Sequence, residues 1–244
     1  MTAAPRLFIF PHAGGSASFY IPFAKAFSTD MKRVAVQYPG SQNGHGTTPT
    51  PSIQVYADHC YRMLTSAPES DGPVAFFGHS MGALVAFEVA RRFESSGHPI
   101  SALFVSACTA PGRMRDEYFR DLTDDELVEF LVDLSGTDPK VLENKEFVDM
   151  ILPALRGYYH AIAGYACAAD ATVSCPIYAF VGTDDGLAPY ENVSAWSAHT
   201  TSEFALRVFP GDHFYFVEHL VDLVRDVETR FCEAALRRKR GQRV

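Results

Sequence analysis

The chain has 244 residues, 47% of them hydrophobic and 20% charged, with 17 glycines and 15 prolines. These proportions exclude disordered, collagen-like and low-complexity readings, and the length suits one α/β domain over 1–244 with a large core. A formal net charge of −8 argues against a nucleic-acid-binding protein.

The first apolar run, Arg6–Phe10, predicts a strand, and Pro11-His12-Ala13-Gly14-Gly15 follows it as a loop. Strands are next expected at Arg33–Tyr38 and Val74–Phe77. After the third strand, Val85, Val89, Ala90 and Phe93 recur at helical spacing, with Gly97 as a stop. A fourth strand is read at Ala102–Ser106. These strands are rich in Val, Ile and Phe without clean alternation, as expected of strands buried on both faces. Separated by helix-length segments, they predict a mainly parallel twisted sheet flanked by helices.

About seventy residues then intervene, far more than one crossover needs. Thr123-Asp124-Asp125-Glu126 reads as a capping box leading into Leu127, Phe130, Leu131 and Leu134 before Gly136. Phe147 to Tyr165 carries a second helical pattern through Met150, Ile151, Leu155, Tyr158, Tyr159 and Ile162. The insertion, 112–172, reads as a helical lid over one end of the sheet, or else as another packed layer. Strands follow at Ile177–Val181 and Ala205–Phe209. A last helix is expected from Phe216 to Leu236 with Val217, Leu220, Val221, Val224, Val227 and Phe231 on one face. Beyond it, five of the 21 basic residues fall in 237–244, read as a frayed, solvated tail.

No apolar run approaches the ~20 residues that span a bilayer, and the run after Arg6 is too short for a signal peptide. The cysteines (Cys60, Cys108, Cys167, Cys175, Cys232) are odd in number, scattered and without a C-x-x-C pair. This predicts reduced thiols, no zinc site and a soluble cytoplasmic protein.

Gly78-His79-Ser80-Met81-Gly82 matches G-x-S-x-G between a strand and a helix, the context of a nucleophile elbow. A serine hydroxyl at its free pKa is a poor nucleophile, so a base and an orienting acid must follow, in the order Ser, Asp/Glu, His. Gly182-Thr183-Asp184-Asp185 after the fifth strand offers Asp185, and Pro210-Gly211-Asp212-His213 after the sixth offers His213. Catalytic groups of open α/β sheets gather at the strands' C-terminal edge, so Ser80, Asp185 and His213 can converge. Asp184 and Asp116 are competing acids. His79 is read as packing, His219 as a surface residue of the last helix, and His45 and His98 as loop residues. Oxyanion donors are expected from the backbone N–H of Met81 and of Ala13. His12 is read as holding the Ala13 loop. That loop lacks the G-x-G-x-x-G pattern and P-loop lysine of a phosphate site.

Taken together, FPHAGGSASFY (10–20), VQYPG (36–40), FFGHSMGALVAFEVA (76–90), the G-x-x-D turn followed by Trp196, and FPGDHFYF (209–216) resemble type II thioesterases. These are free-standing α/β-hydrolases that serve polyketide and nonribosomal peptide synthases. The resemblance runs nearly end to end and implies an α/β-hydrolase fold. It also implies hydrolysis of acyl thioesters on the phosphopantetheine arm of a carrier protein, without metal or cofactor, by a monomer. It maps the family's triad onto Ser80, Asp185 and His213, its oxyanion amides onto Met81 and Ala13, and its lid onto 112–172. Ser41 to Gly46 departs from the arginine-containing segment that many members carry after the Pro-Gly. SCPIYAF (174–180) and RVFPGDHFY (207–215) lean toward members that work with lipid-making synthases. Two rival functions are an esterase or lipase acting on oxygen esters, since the elbow does not choose the leaving group, and a non-catalytic carrier-binding protein. Arg113, Arg115 and Arg120 are candidates for a carrier-docking patch.

Overall fold

The computed structural model describes residues 4–39, 52–66, 72–113, 122–134 and 144–241. Asp116, Arg115, Arg120, His45, Gly136 and the segment 41–46 lie outside the described residues. Six strands form one parallel sheet: β1 (Arg6–Phe10), β2 (Lys32–Ala35), β3 (Val74–His79), β4 (Ala102–Ser106), β5 (Ile177–Gly182) and β6 (Phe204–Phe209), in the spatial order β2-β1-β3-β4-β5-β6. The strand order reverses direction between β1 and β3, the place where ligands of open α/β sheets collect.

Alternate side chains of the central strands enter two different cores. Phe8, Phe10, Phe76, Leu103, Val105, Ile177 and Ala179 pack on one face. Leu7, Ile9, Ala75, Phe77, Phe104, Tyr178 and Phe180 pack on the other. Helices α2 (Ile53–Ser66) and α3 (Met81–Ser95) cover the first face, and α1 (Ile21–Ala26) and the last helix, α7 (Leu220–Gly241), cover the second. The edge strands are less covered: β2 exposes alternate residues, and β6 exposes the adjacent Arg207 and Val208. α3 ends as its sequence demands, with Gly97 at φ +83° just beyond it.

Between β4 and β5 the described residues include two helices, α4 (Asp124–Asp133) and α5 (Lys145–Ala163). Thr123 and Glu126 close the expected capping box at the start of α4. The two helices are cross-linked by Arg156, which bonds Asp124 and the Leu122 carbonyl, and by the edge-on rings of Phe130 and Tyr159 at 5.6 Å. α5 also seats Tyr158 against the rings of Tyr38 and Tyr56. A short helix, α6 (Tyr190–Ser194), and a 3₁₀ turn at Ala195–His199 connect β5 to β6.

The C-terminal end departs from the sequence reading. A 3₁₀ turn, Tyr215–Val217, precedes α7, so the helix starts at Leu220 and not at Phe216. Phe216 turns inward, whereas Val217 and Val221 are 60% and 66% exposed. The buried stripe is Leu223, Val224, Val227, Phe231 and Ala234. The basic segment continues this helix through Gly241. Arg237 pairs with Glu203 at 2.9 Å and Arg238 donates to the carbonyls of Pro99 and Ile100. Among the described residues no helix is long and apolar enough to cross a membrane.

Candidate active site

Four loops meet at the C-terminal edge of the sheet, after β1, β3, β5 and β6, and glycine sets the closeness of their approach. At the β3–α3 turn Ser80 has φ 54° and ψ −125°, a backbone conformation that a non-glycine residue enters only under constraint. A Cβ on Gly78 would lie 2.3 Å from the Gly82 carbonyl oxygen, and one on Gly82 would lie 2.0 Å from the Phe10 carbonyl oxygen. The second contact presses the end of β1 against the start of α3. The elbow is fastened by Ser80 N–H donating to the Ser106 carbonyl at 2.8 Å. Met81 opens α3, so its N–H is one of the helix's first amides, which have no acceptor four residues back.

The Pro11–Gly15 loop leaves β1 beside this turn. Tyr38 Oη donates to the Pro11 carbonyl at 3.0 Å, and His12 Nδ1 bonds Tyr20 Oη at 2.9 Å. His12 therefore holds the loop, as expected. Burial, with His213 nearby, drives its pKa down to about 3, so the ring is neutral. Gly14 has φ +79°, and Leu155 of α5 lies over it so closely that a Cβ would be 2.7 Å from Cδ2.

On the other side, the loops after β5 and β6 are zipped together. Thr183 N–H donates to the Phe209 carbonyl and Asp184 N–H to the Gly211 carbonyl, both at 2.8 Å, and a Cβ on Gly182 would lie 2.3 Å from the Asp212 carbonyl oxygen. The zip delivers Asp185 to His213: Nδ1 of the imidazole lies 3.0 and 3.1 Å from the two carboxylate oxygens. Asp185 Oδ1 also accepts from Leu187 N–H at 3.0 Å and Ala188 N–H at 3.1 Å. The buried carboxylate is thus fixed from two sides, while Nε2 of His213 is left for another partner. Asp184 is exposed and accepts from the Thr183 hydroxyl, which separates it from the competing assignment.

A cavity of about 670 Å³ opens over these groups. Ser80, Met81, Asp185 and His213 line it together. Ala13 is not part of that wall and lies buried in the adjoining loop. Leu84 of α3, Phe130 and Leu134 of the α4 region, and Tyr159 and Ile162 of α5 make the wall largely apolar, and Arg113 and Asn192 also line it. The size is that of a pocket for a small organic ligand. Among the described residues no three His, Cys, Asp or Glu side chains cluster to hold a metal.

Of the other histidines, His79 is fully buried, consistent with a packing role, and His219 lies just before α7 against the Phe209 ring. Sequence reasoning missed the bonds that His79 makes. Its Nδ1 lies 2.9 Å from Ser106 Oγ, which lies 2.7 Å from Tyr215 Oη. The one available signal was that Ser106, like the acid and the base, stands where a strand meets the C-terminal edge.

A model of the thioesterase domain family matches residues 5–231. The thioesterase TesA of Mycobacterium marinum (strain ATCC BAA-535 / M) is 48% identical over 225 residues, covering 92% of this chain and 90% of the relative. The solved structure of the type II thioesterase BorB, from the borrelidin biosynthetic cluster, is 42% identical with a TM-score of 0.84, covering 95% of this chain and 94% of the other. RedJ, a thioesterase of the prodiginine pathway in Streptomyces coelicolor, is 31% identical with a TM-score of 0.80, covering 91% and 92%. An elbow serine, a carboxylate-bound imidazole and an apolar cavity on a parallel sheet thus occur in a chain that matches such enzymes almost end to end: the chain belongs to the thioesterase family and has its α/β-hydrolase fold.

Proposed function

We propose that this thioesterase hydrolyses acyl chains carried as thioesters on the phosphopantetheine arm of a carrier protein of polyketide, lipid or nonribosomal peptide synthesis, with Ser80, His213 and Asp185 as its triad. The observation that carries the reading is His213, bound through Nδ1 to a buried carboxylate and sharing a cavity wall with Ser80. With Nδ1 engaged, Nε2 takes the Ser80 proton as the hydroxyl oxygen attacks the thioester carbonyl. The tetrahedral oxyanion is met by the N–H groups of Met81 and Ala13. Collapse expels the pantetheine thiol, which receives the proton from His213. The same imidazole then activates water to hydrolyse the acyl-serine. The apolar wall from Leu84, Phe130, Tyr159 and Ile162 holds the acyl chain, and the 112–172 segment acts as its lid. The substrate class is supported by the biosynthetic clusters to which BorB and RedJ belong.

The test compares turnover of acyl-pantetheine thioesters with matched oxygen esters, for the parent and for Ser80→Ala. The expected result is preference for the thioester and a loss of kcat by roughly 10⁴- to 10⁶-fold in the variant, together with loss of fluorophosphonate labelling. Near-parental turnover by Ser80→Ala would remove the nucleophile assignment, and preference for the oxygen ester would remove the substrate class.

A further inference from the structure

Behind the cavity lies a buried hydrogen-bonded chain with no part in the proton transfers above. Tyr215 Oη is 2.7 Å from Ser106 Oγ, and Ser106 Oγ is 2.9 Å from His79 Nδ1. Each member adjoins a different part of the site. His79 immediately precedes Ser80, Tyr215 comes two residues after His213, and Ser106 is the last residue of β4, whose carbonyl accepts the Ser80 N–H. The His79 ring also lies against the His213 ring, 5.1 Å between centroids, with Phe214 and Phe216 enclosing it at 5.3 and 4.8 Å.

The chain has one economical polarity. With Tyr215 donating to Ser106 and Ser106 donating to Nδ1 of His79, both hydroxyl protons are used. The remaining imidazole proton sits on Nε2, a buried atom with no hydrogen-bond partner among the described residues, in a pocket of aromatic rings. Burial, with His213 and His12 nearby, pulls His79 well below the usual imidazole range. It therefore stays neutral while His213 takes up its proton. Three polar side chains buried in a place that apolar ones could fill cost stability unless each satisfies the next, which makes their mutual geometry stringent.

We propose that Tyr215, Ser106 and His79 are positioning residues, a strut that fixes the loop carrying the base against the elbow carrying the nucleophile. The proposal rests on the triad reading. Removing a link loosens the distance between Ser80 and His213 without touching the acyl chamber, so the loss falls on kcat.

The test uses Tyr215→Phe and Ser106→Ala, which delete one hydroxyl each, their double variant, and Ser106→Thr, which restores an Oγ. Each single deletion is expected to lower kcat about 10- to 100-fold, with KM within about twofold and fluorophosphonate labelling slowed in parallel. The double variant should lose no more than the worse single one, because a strut cut once is already cut. Ser106→Thr should recover most of the rate. Folded single variants with kcat within about twofold of the parent would overturn the proposal, as would losses that multiply in the double variant. Should Ser106→Ala fail to fold, Tyr215→Phe alone decides by the same kcat and KM criterion. Failure here with Ser80→Ala still inactive removes the strut and leaves the triad; an active Ser80→Ala removes the triad reading itself.

Discussion

Asp185 illustrates how much one side chain's surroundings decide. Its carboxylate accepts from two backbone amides and from His213, so Asp185→Asn puts an amide N–H where an acceptor is required or turns the imidazole to the wrong tautomer. The expected outcome is a fall in kcat of about 10⁴-fold with little change in melting temperature, read by steady-state kinetics and calorimetry. Gly182→Ala acts on the same pair from behind. Its new Cβ would collide with the carbonyl oxygens of Gly211 and Asp212, both at 2.3 Å, pushing the His213 loop off β5. Activity should drop by at least about 100-fold in the soluble variant, measured as kcat/KM. Ser80, Asp185 and His213 were legible because each stands in a short local pattern after a strand. The partners of His79 were not, because Ser106 lies 27 residues from it and Tyr215 a further 109, with no spacing rule to connect them.

Strands in a parallel sheet are apolar on both faces, so their boundaries could be read from composition, and β1 and β4 fall where expected. β2 is shorter than its apolar run: ladder pairing stops at Ala35, although Val36 N–H still bonds the Ile9 carbonyl at 2.8 Å. The last helix keeps the expected buried positions Val224, Val227 and Phe231 but starts later than its apolar pattern suggests. The 3₁₀ turn Tyr215–Val217 takes Val217 out of the helix altogether, whereas Val221, inside α7, faces solvent beside the buried stripe of Val224, Val227 and Phe231. The capping box was readable because it is wholly local. Thr123→Ala should weaken α4 by about 1 kcal/mol. Amide hydrogen exchange should report faster opening of 124–133, with the sheet amides unchanged. α4 carries Phe130, part of the cavity wall, so KM for long acyl chains should rise more than KM for short ones.

The whole molecule carries several titratable groups that fold in one protonation state. His12, lowered to about 3, and His79, lower than an ordinary imidazole, are neutral in the folded state, chiefly through burial. In the unfolded chain each binds a proton below about pH 6.5. Between that value and the folded pKa the unfolded state holds more protons, so stability falls as pH falls, by about 1.4 kcal/mol per pH unit for each histidine. Urea denaturation at pH 7 and pH 4.5 should show this slope, reduced in a His12→Asn variant. Tyr20 and Tyr215 act at the opposite end. Burial raises both phenols, so their contribution is present below pH 10 and is lost as the unfolded chain ionises above it. The two-faced core and the β4–β5 insertion were visible as patterns. What could not be seen was that buried polar groups from β3, β4 and the 3₁₀ turn before α7 would share one pocket, since only the completed sheet brings those strand ends together.

The sheet's order also sets when activity can begin during synthesis. β6 is an edge strand made late, and His213 follows it, so a ribosome that has already delivered the elbow and Asp185 still holds a chain without the proton acceptor proposed above. Translation must pass residue 213, and emerge by the length of the exit tunnel beyond it, before the newborn protein can consume a single acyl group.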